Sequence, residues 1–155
     1  MQEVINLLTK KNKTIATMES CTGGGVVNAI TDIEGASEIL KFSAITYSNE
    51  YKIKMGVSRN TIDKYSVYSM EVAKEMALNI SKYANSSYGV GITGKLNRVD
   101  AHNPYGENNI IYVAIYDRDN DSYYTLTIEA TEPKRKQNKE LIIEKIVSKL
   151  LEIIK

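Results

Sequence analysis

The chain has 155 residues, enough for one domain that buries about two-thirds of its unfolded surface. Lysine and arginine number 20 against 19 for aspartate and glutamate, so no net field marks out a nucleic-acid or anionic-membrane partner. A single cysteine excludes a disulfide framework and, with no signal-like start, predicts a reducing cytoplasm; no apolar run approaches the roughly 20 residues of a membrane helix.

The first residues, MQEVINLLTKKNK, place Val4, Ile5, Leu7 and Leu8 on one face of an amphipathic helix that stops at lysines. Thr14 to Gly25, TIATMESCTGGG, then reads as a short strand, a glycine turn and the start of a second helix carrying Val26, Val27, Ile30 and Ile33. Such a turn aims several N–H groups at a phosphate, a carboxylate or a developing oxyanion, and places Ser20 and Cys21 at the rim of a sheet. The same pattern also fits a plain junction in which Ser20 or Thr22 caps the helix.

Ile39 to Tyr47, ILKFSAITY, is mostly apolar and predicts a strand buried on both faces. Ser48 or Asn49 caps a short helix with Tyr51, Lys52, Ile53 and Met55, and Ser58 opens another through Tyr65. Ser69 caps a long helix, MEVAKEMALNISKYA, although the acidic partner of a capping box is missing. Tyr88 to Gly94 is a strand with three glycines, which permits close approach by a ligand or by another backbone. Lys95 to Asn109 is polar and aperiodic, a pattern common in functional loops. Ile110 to Tyr116 and Tyr123 to Ile128 form a hairpin across Asp117 to Ser122, whose acidic spacing lacks the glycine and the twelfth-position acid of a calcium loop. Leu141 to Ile154 is a closing amphipathic helix. Alternating helices and strands with a late hairpin predict an α/β fold of one domain, three-layer α/β/α around a mixed, partly parallel sheet.

Three separated segments carry a family resemblance. ATMESCTGGGVVNAITDIEGAS matches an A-E-S-C-T-G-G signature followed by T-D-x-x-G-A-S; TYSNEYKIKMGV matches Y-S-N-E-x-K with G-V after it; YSVYSMEVAKEMA is a variant of G-A-V-S-x-E-V-A. In this order and spacing the chain resembles the C-terminal domain of the CinA competence-damage family, in its short, single-domain form. The resemblance implies hydrolysis of the carboxamide of nicotinamide mononucleotide to nicotinic acid mononucleotide and ammonia. It maps the serine nucleophile onto Ser20 and the accompanying tyrosine and lysine onto Tyr47 and Lys52. It places Cys21, Thr22, Gly23, Gly24, Thr93, Gly94 and Arg135 around the substrate, with the N–H groups of Cys21 to Gly24 holding the oxyanion. It implies a pyridine nucleotide as the partner, no cofactor, neither nucleic acid nor membrane, and it leaves a homo-oligomer open.

The residues have their own reading beside it. A serine hydroxyl needs a base; the lone His102 matches no family motif, and a lysine serves if burial lowers its pKa, whereas a solvated Lys52 would be an ordinary helix lysine. One cysteine and one histidine make no zinc constellation. Three departures stand out. After Thr93-Gly94 the family's I-A-G-P is replaced by Lys95-Leu96-Asn97-Arg98, Asn103 to Gly106 stands for K-P-V-G, and Lys134-Arg135 replaces G-D-R, with Lys139 near a second family arginine. The alternatives these leave are a nucleotide-binding module without turnover, or a hydrolase of another amide or ester.

Overall fold

The structure is a computed structural model that describes residues 1–98, 100–103 and 107–155. Among them five strands form one mixed sheet in the order β2-β1-β3-β4-β5. The strands are β1 (Ile15–Glu19), β2 (Ala44–Ile45), β3 (Tyr88–Gly94), β4 (Ile110–Asp117) and β5 (Ser122–Glu129). β1 pairs in parallel with β2 and β3; β4 runs antiparallel to both β3 and β5.

Side-chain alternation along the inner strands divides the core into two layers. Ile15 of β1, Val90 and Ile92 of β3, and Ile111, Val113 and Ile115 of β4 face one way. There they meet α1 (Gln2–Lys10), α2 (Gly25–Thr31) and α6 (Arg135–Ile154) through residues such as Leu8, Ile30, Ile142 and Ile146. Ala16 and Met18 face the other way, onto Val72, Met76 and Ile80 of α5 (Met70–Ala84). The three-layer α/β/α expectation is met.

α5 lies close against the sheet because two glycines of β3 face it. A Cβ at Gly91 would run into the Ala73 carbonyl oxygen, and one at Gly89 into that of Ala77. Ser69 accepts the Val72 N–H at 3.3 Å, so α5 starts on the expected serine cap.

Two expectations are corrected. The run Ile39 to Tyr47 is not a strand buried on both faces: only Ala44 and Ile45 pair with β1, apart from an isolated bridge at Leu40, and Ile45 is 54% exposed. This run forms the sheet's outer edge, and the Ser43 hydroxyl takes the Thr17 N–H at 3.0 Å in place of a backbone carbonyl, which interrupts the ladder. The last helix starts at Arg135 rather than Leu141. Its basic first turns are held by Asn138, fully buried, which accepts the Glu132 N–H and donates to Asn97 Oδ1 and to the Glu132 carbonyl.

Candidate active site

Ser20 follows β1 directly, at the carboxyl end of an inner strand, where parallel strands present loops to a ligand. The turn after it is built around the preceding residue. Glu19 is fully buried, and its two oxygens accept five hydrogen bonds. The donors are the hydroxyls of Thr17 (3.2 Å) and Thr22 (2.6 Å) and the N–H groups of Gly24 (3.1 Å), Val26 (3.1 Å) and Val27 (2.8 Å). Glu19 therefore satisfies the first turn of α2 from within the chain, a role that caps usually take. Gly24 precedes the helix with φ at 92°, a conformation that glycine adopts without strain.

That finding narrows the expected anion cradle. The Gly23 N–H bonds the Ser20 carbonyl at 2.9 Å, the Gly24 N–H bonds Glu19, and the Gly25 N–H bonds the Thr22 carbonyl at 3.1 Å. The N–H groups of Cys21 and Thr22 bond no carbonyl or carboxylate among the described residues, that of Cys21 facing only its own thiol, so they are the turn's remaining donors. The reason is electrostatic: a carboxylate one residue before Ser20 reaches the helix terminus intramolecularly and fills it.

Lys52 comes from α3 (Asn49–Lys54), which Ser48 caps by accepting the Tyr51 N–H at 3.3 Å. The helix turns this lysine inward: it is 2% exposed, and its Nζ lies 3.1 Å from Ser20 Oγ and donates to the Thr46 carbonyl at 2.7 Å. Burial lowers its pKa from 10.5 to about 8, against the opposing pull of Cys21 and Asp100. The neighbouring Cys21 thiol is pushed up to about 12, chiefly by burial, and so remains a thiol.

Ser20, Cys21 and Lys52 form the floor of a cleft of about 670 Å³. Tyr47 stands at its mouth, 65% exposed. Its far wall is the segment after β3. Lys95 is buried with its ammonium 5.1 Å above the Tyr68 ring, and Arg135 donates to the Leu96 carbonyl. The Tyr68 hydroxyl donates to Asp100 Oδ2, which also accepts Asn103 Nδ2 at 3.0 Å, while the His102 N–H bonds Oδ1 at 2.9 Å. These donors, Tyr68 first, hold the Asp100 carboxyl at about 2. Asn49 Nδ2 bonds Asn103 Oδ1 at 2.8 Å and ties α3 to the same wall.

Of the residues singled out in the sequence, Ser20, Cys21, Tyr47, Lys52, Gly94 and Arg135 line this cleft. Thr93 is fully buried and donates its hydroxyl to the Val67 carbonyl at 2.9 Å, so it shapes the loop before α5 from behind. Thr22 turns its hydroxyl to Glu19, Gly23 lies beside Lys139 Nζ, and Gly24 serves the helix start. Pro104 to Gly106, read as part of a K-P-V-G remnant, lie outside the described residues. Sequence reasoning missed Tyr68 and Asp100. The signal was present: Tyr68 takes the valine place of G-A-V-S, and Asp100 lies in the segment that replaces the family's glycine-rich loop. The two departures meet in space.

Comparisons with known proteins agree with this architecture. A competence-damage inducible protein of Thermoanaerobacter pseudethanolicus is 47% identical over 96 residues, 61% of this chain and 23% of that protein. One of Clostridium kluyveri is 39% identical over 120 residues, 76% of this chain and 29% of that one. The chain thus spans about a quarter of the length of the curated relatives it matches. Among solved structures, the competence/damage inducible protein CihA of Agrobacterium tumefaciens superposes with a TM-score of 0.88 at 23% identity, covering 99% of this chain and 93% of that one. A CinA superfamily protein of Enterobacter cloacae gives 0.90 at 18%, covering 99% and 89%. At these identities the two structures establish the fold alone. The model of the CinA C-terminal domain matches residues 1–154, and the chain belongs to that family.

Proposed function

We propose that this protein is a serine-dependent amidase that hydrolyses the carboxamide of nicotinamide mononucleotide to nicotinic acid mononucleotide and ammonia. The observation that carries the reading is the pairing of Ser20 Oγ with a buried lysine amine at 3.1 Å, with no histidine in the pair. The substrate comes from the family resemblance, and the basic side chains of Arg98 and Arg135 in the cleft wall suit its phosphate.

A neutral lysine has two N–H groups and one lone pair. The Thr46 carbonyl takes an N–H, which leaves the lone pair for the Ser20 hydroxyl. Ser20 Oγ attacks the carboxamide carbon as its proton passes to Lys52. The oxyanion that forms is held by the N–H groups of Cys21 and Thr22. Lys52 then returns the proton to the departing nitrogen, and ammonia leaves an acyl-serine. Water attacks the acyl carbon as Lys52 takes its proton, and Lys52 passes that proton to Ser20 Oγ as the acyl bond breaks and the acid leaves. Tyr47 assists from the mouth of the cleft.

Ammonia release from nicotinamide mononucleotide by wild type, Ser20→Ala and Lys52→Arg tests this. Ser20→Ala should abolish turnover. Lys52→Arg keeps the charge but cannot give up its proton, so kcat should fall by a factor on the order of 10² or more. The wild-type rate should climb with pH through about 8, as Lys52 becomes neutral. An arginine variant with near-normal kcat would overturn the mechanism, and binding of the nucleotide without ammonia would favour a non-catalytic nucleotide-binding module.

A further inference from the structure

One buried hydroxyl beside Lys52 has no part in the reaction as written. Thr46 is 2% exposed, and its Oγ1 has no hydrogen-bond partner among the described residues. A buried hydroxyl left unpaired costs stability. The backbone around it is fixed: its N–H bonds the Glu19 carbonyl at 2.9 Å, and its own carbonyl accepts Lys52 Nζ at 2.7 Å. Alternation along β2 turns the Thr46 side chain to the side of Ala44, into the layer that holds Val57. Lys52 comes from that side, since its carbonyl accepts the Val57 N–H. The amine has a matching deficit. Nζ bonds two oxygens, Thr46 O and Ser20 Oγ. Neutral lysine gives one N–H to Thr46 and its lone pair to Ser20; the ammonium adds the proton received on the Ser20 side. Either way one N–H is left over, and charge makes it a strong donor.

We propose that Thr46 is a positioning residue for Lys52: a turn about its χ1 brings the hydroxyl onto the remaining N–H when the amine becomes charged, so that carbonyl and hydroxyl together clasp the ammonium. The two clasped hydrogens stay with the nitrogen. The hydrogen received from Ser20 is then the one that faces the departing amide nitrogen. Lys52 as a base rests on the amidase reading above, whereas the clasp rests on the two unmatched groups.

The test reads the protonation of Lys52 itself, and so is separable from turnover. The nitrogen chemical shift of its amine, assigned by its loss in Lys52→Arg, is titrated in wild type, Thr46→Val and Thr46→Ser. Cys21 after β1 and Asp100 beyond β3 act on this titration, and Lys95, Arg98, His102 and Arg135 line the same cleft. Glu19 is spent on the start of α2, and Val57, Val67 and Met76 bring no charge. All of these are the same in every variant. Valine removes the hydroxyl at nearly equal volume, so the ammonium loses a charge-assisted bond. The pKa of Lys52 should then fall about one pH unit below its wild-type value of about 8. Thr46→Ser, which keeps the hydroxyl, should titrate as wild type. In ammonia release the rising limb of kcat should move down in pH by the same amount, and its plateau should fall several-fold with KM unchanged. Should Thr46→Val fail to fold, Thr46→Ala removes the hydroxyl without adding volume. A valine or alanine variant that titrates with the wild type, or a serine variant displaced as far as they are, overturns the proposal. The expected displacement, in a wild-type protein that releases no ammonia from the nucleotide, would leave the clasp standing and remove the amidase reading.

Discussion

At the scale of single residues, the role proposed for Lys52 runs against stability. Its amine is buried with two oxygen partners and, among the described residues, no carboxylate bonded to it, and its pKa falls to about 8. The unfolded chain, with a lysine near 10.5, then binds the proton more strongly than the folded one. The cost to stability is therefore full below pH 8 and shrinks as pH rises from about 8 to 10.5. By linkage it is on the order of 3 kcal/mol before the two lost hydrogen bonds are counted. Lys52→Met should accordingly unfold at higher urea than wild type at pH 7, by about 1–2 kcal/mol, while losing all turnover. Its advantage should vanish by pH 10.5. A Lys52→Met protein less stable than wild type at pH 7 would contradict the assigned burial.

At the scale of elements, the junction between β1 and α2 depends on Glu19 more than on its glycines. Five donors converge on one buried carboxylate, and three of them are the N–H groups that a free helix terminus would offer to a ligand. Glu19→Gln preserves size but turns an NH2 group toward donors. The expected loss is about 2–4 kcal/mol of stability, by the scale of buried hydrogen bonds to charged groups. Turnover should fall too, since Ser20 and the Cys21 and Thr22 N–H groups hang from the same turn. Urea unfolding and ammonia release on one preparation measure both, and unchanged stability would show that the helix start is held by something else.

Over the whole molecule the formal net charge is only +1, so salt has little general field to screen. The basic groups gathered in the cleft are a local matter. Raising ionic strength from about 0.05 to 0.5 M should increase KM for nicotinamide mononucleotide several-fold, with little effect on kcat. The corresponding nucleoside, which has no phosphate, should show a much smaller change. Equal salt dependence for the two would place the basic side chains elsewhere than on the phosphate.

Much of this protein was written locally. Helical spacing of apolar residues, serine caps, and the glycines of YGVGITG located α1, α5, β3 and the β4–β5 hairpin, because these features act within a few residues of chain. Ser20 and Lys52 stood out in the sequence through the motifs of the family, and the fold brings Lys52 Nζ within 3.1 Å of Ser20 Oγ. Three outcomes belonged to tertiary structure. An apolar run became a sheet edge because no sixth strand covers it among the described residues, so its hydrophobicity did not report burial. The helix terminus was filled by Glu19 because a side chain facing the α2 layer reaches N–H groups that composition alone leaves open. Tyr68 and Asp100, 32 residues apart, became one wall of the cleft only when β3 carried its loop back over the start of α5. Each depends on which groups meet across the chain, and sequence spacing carries no direct record of that.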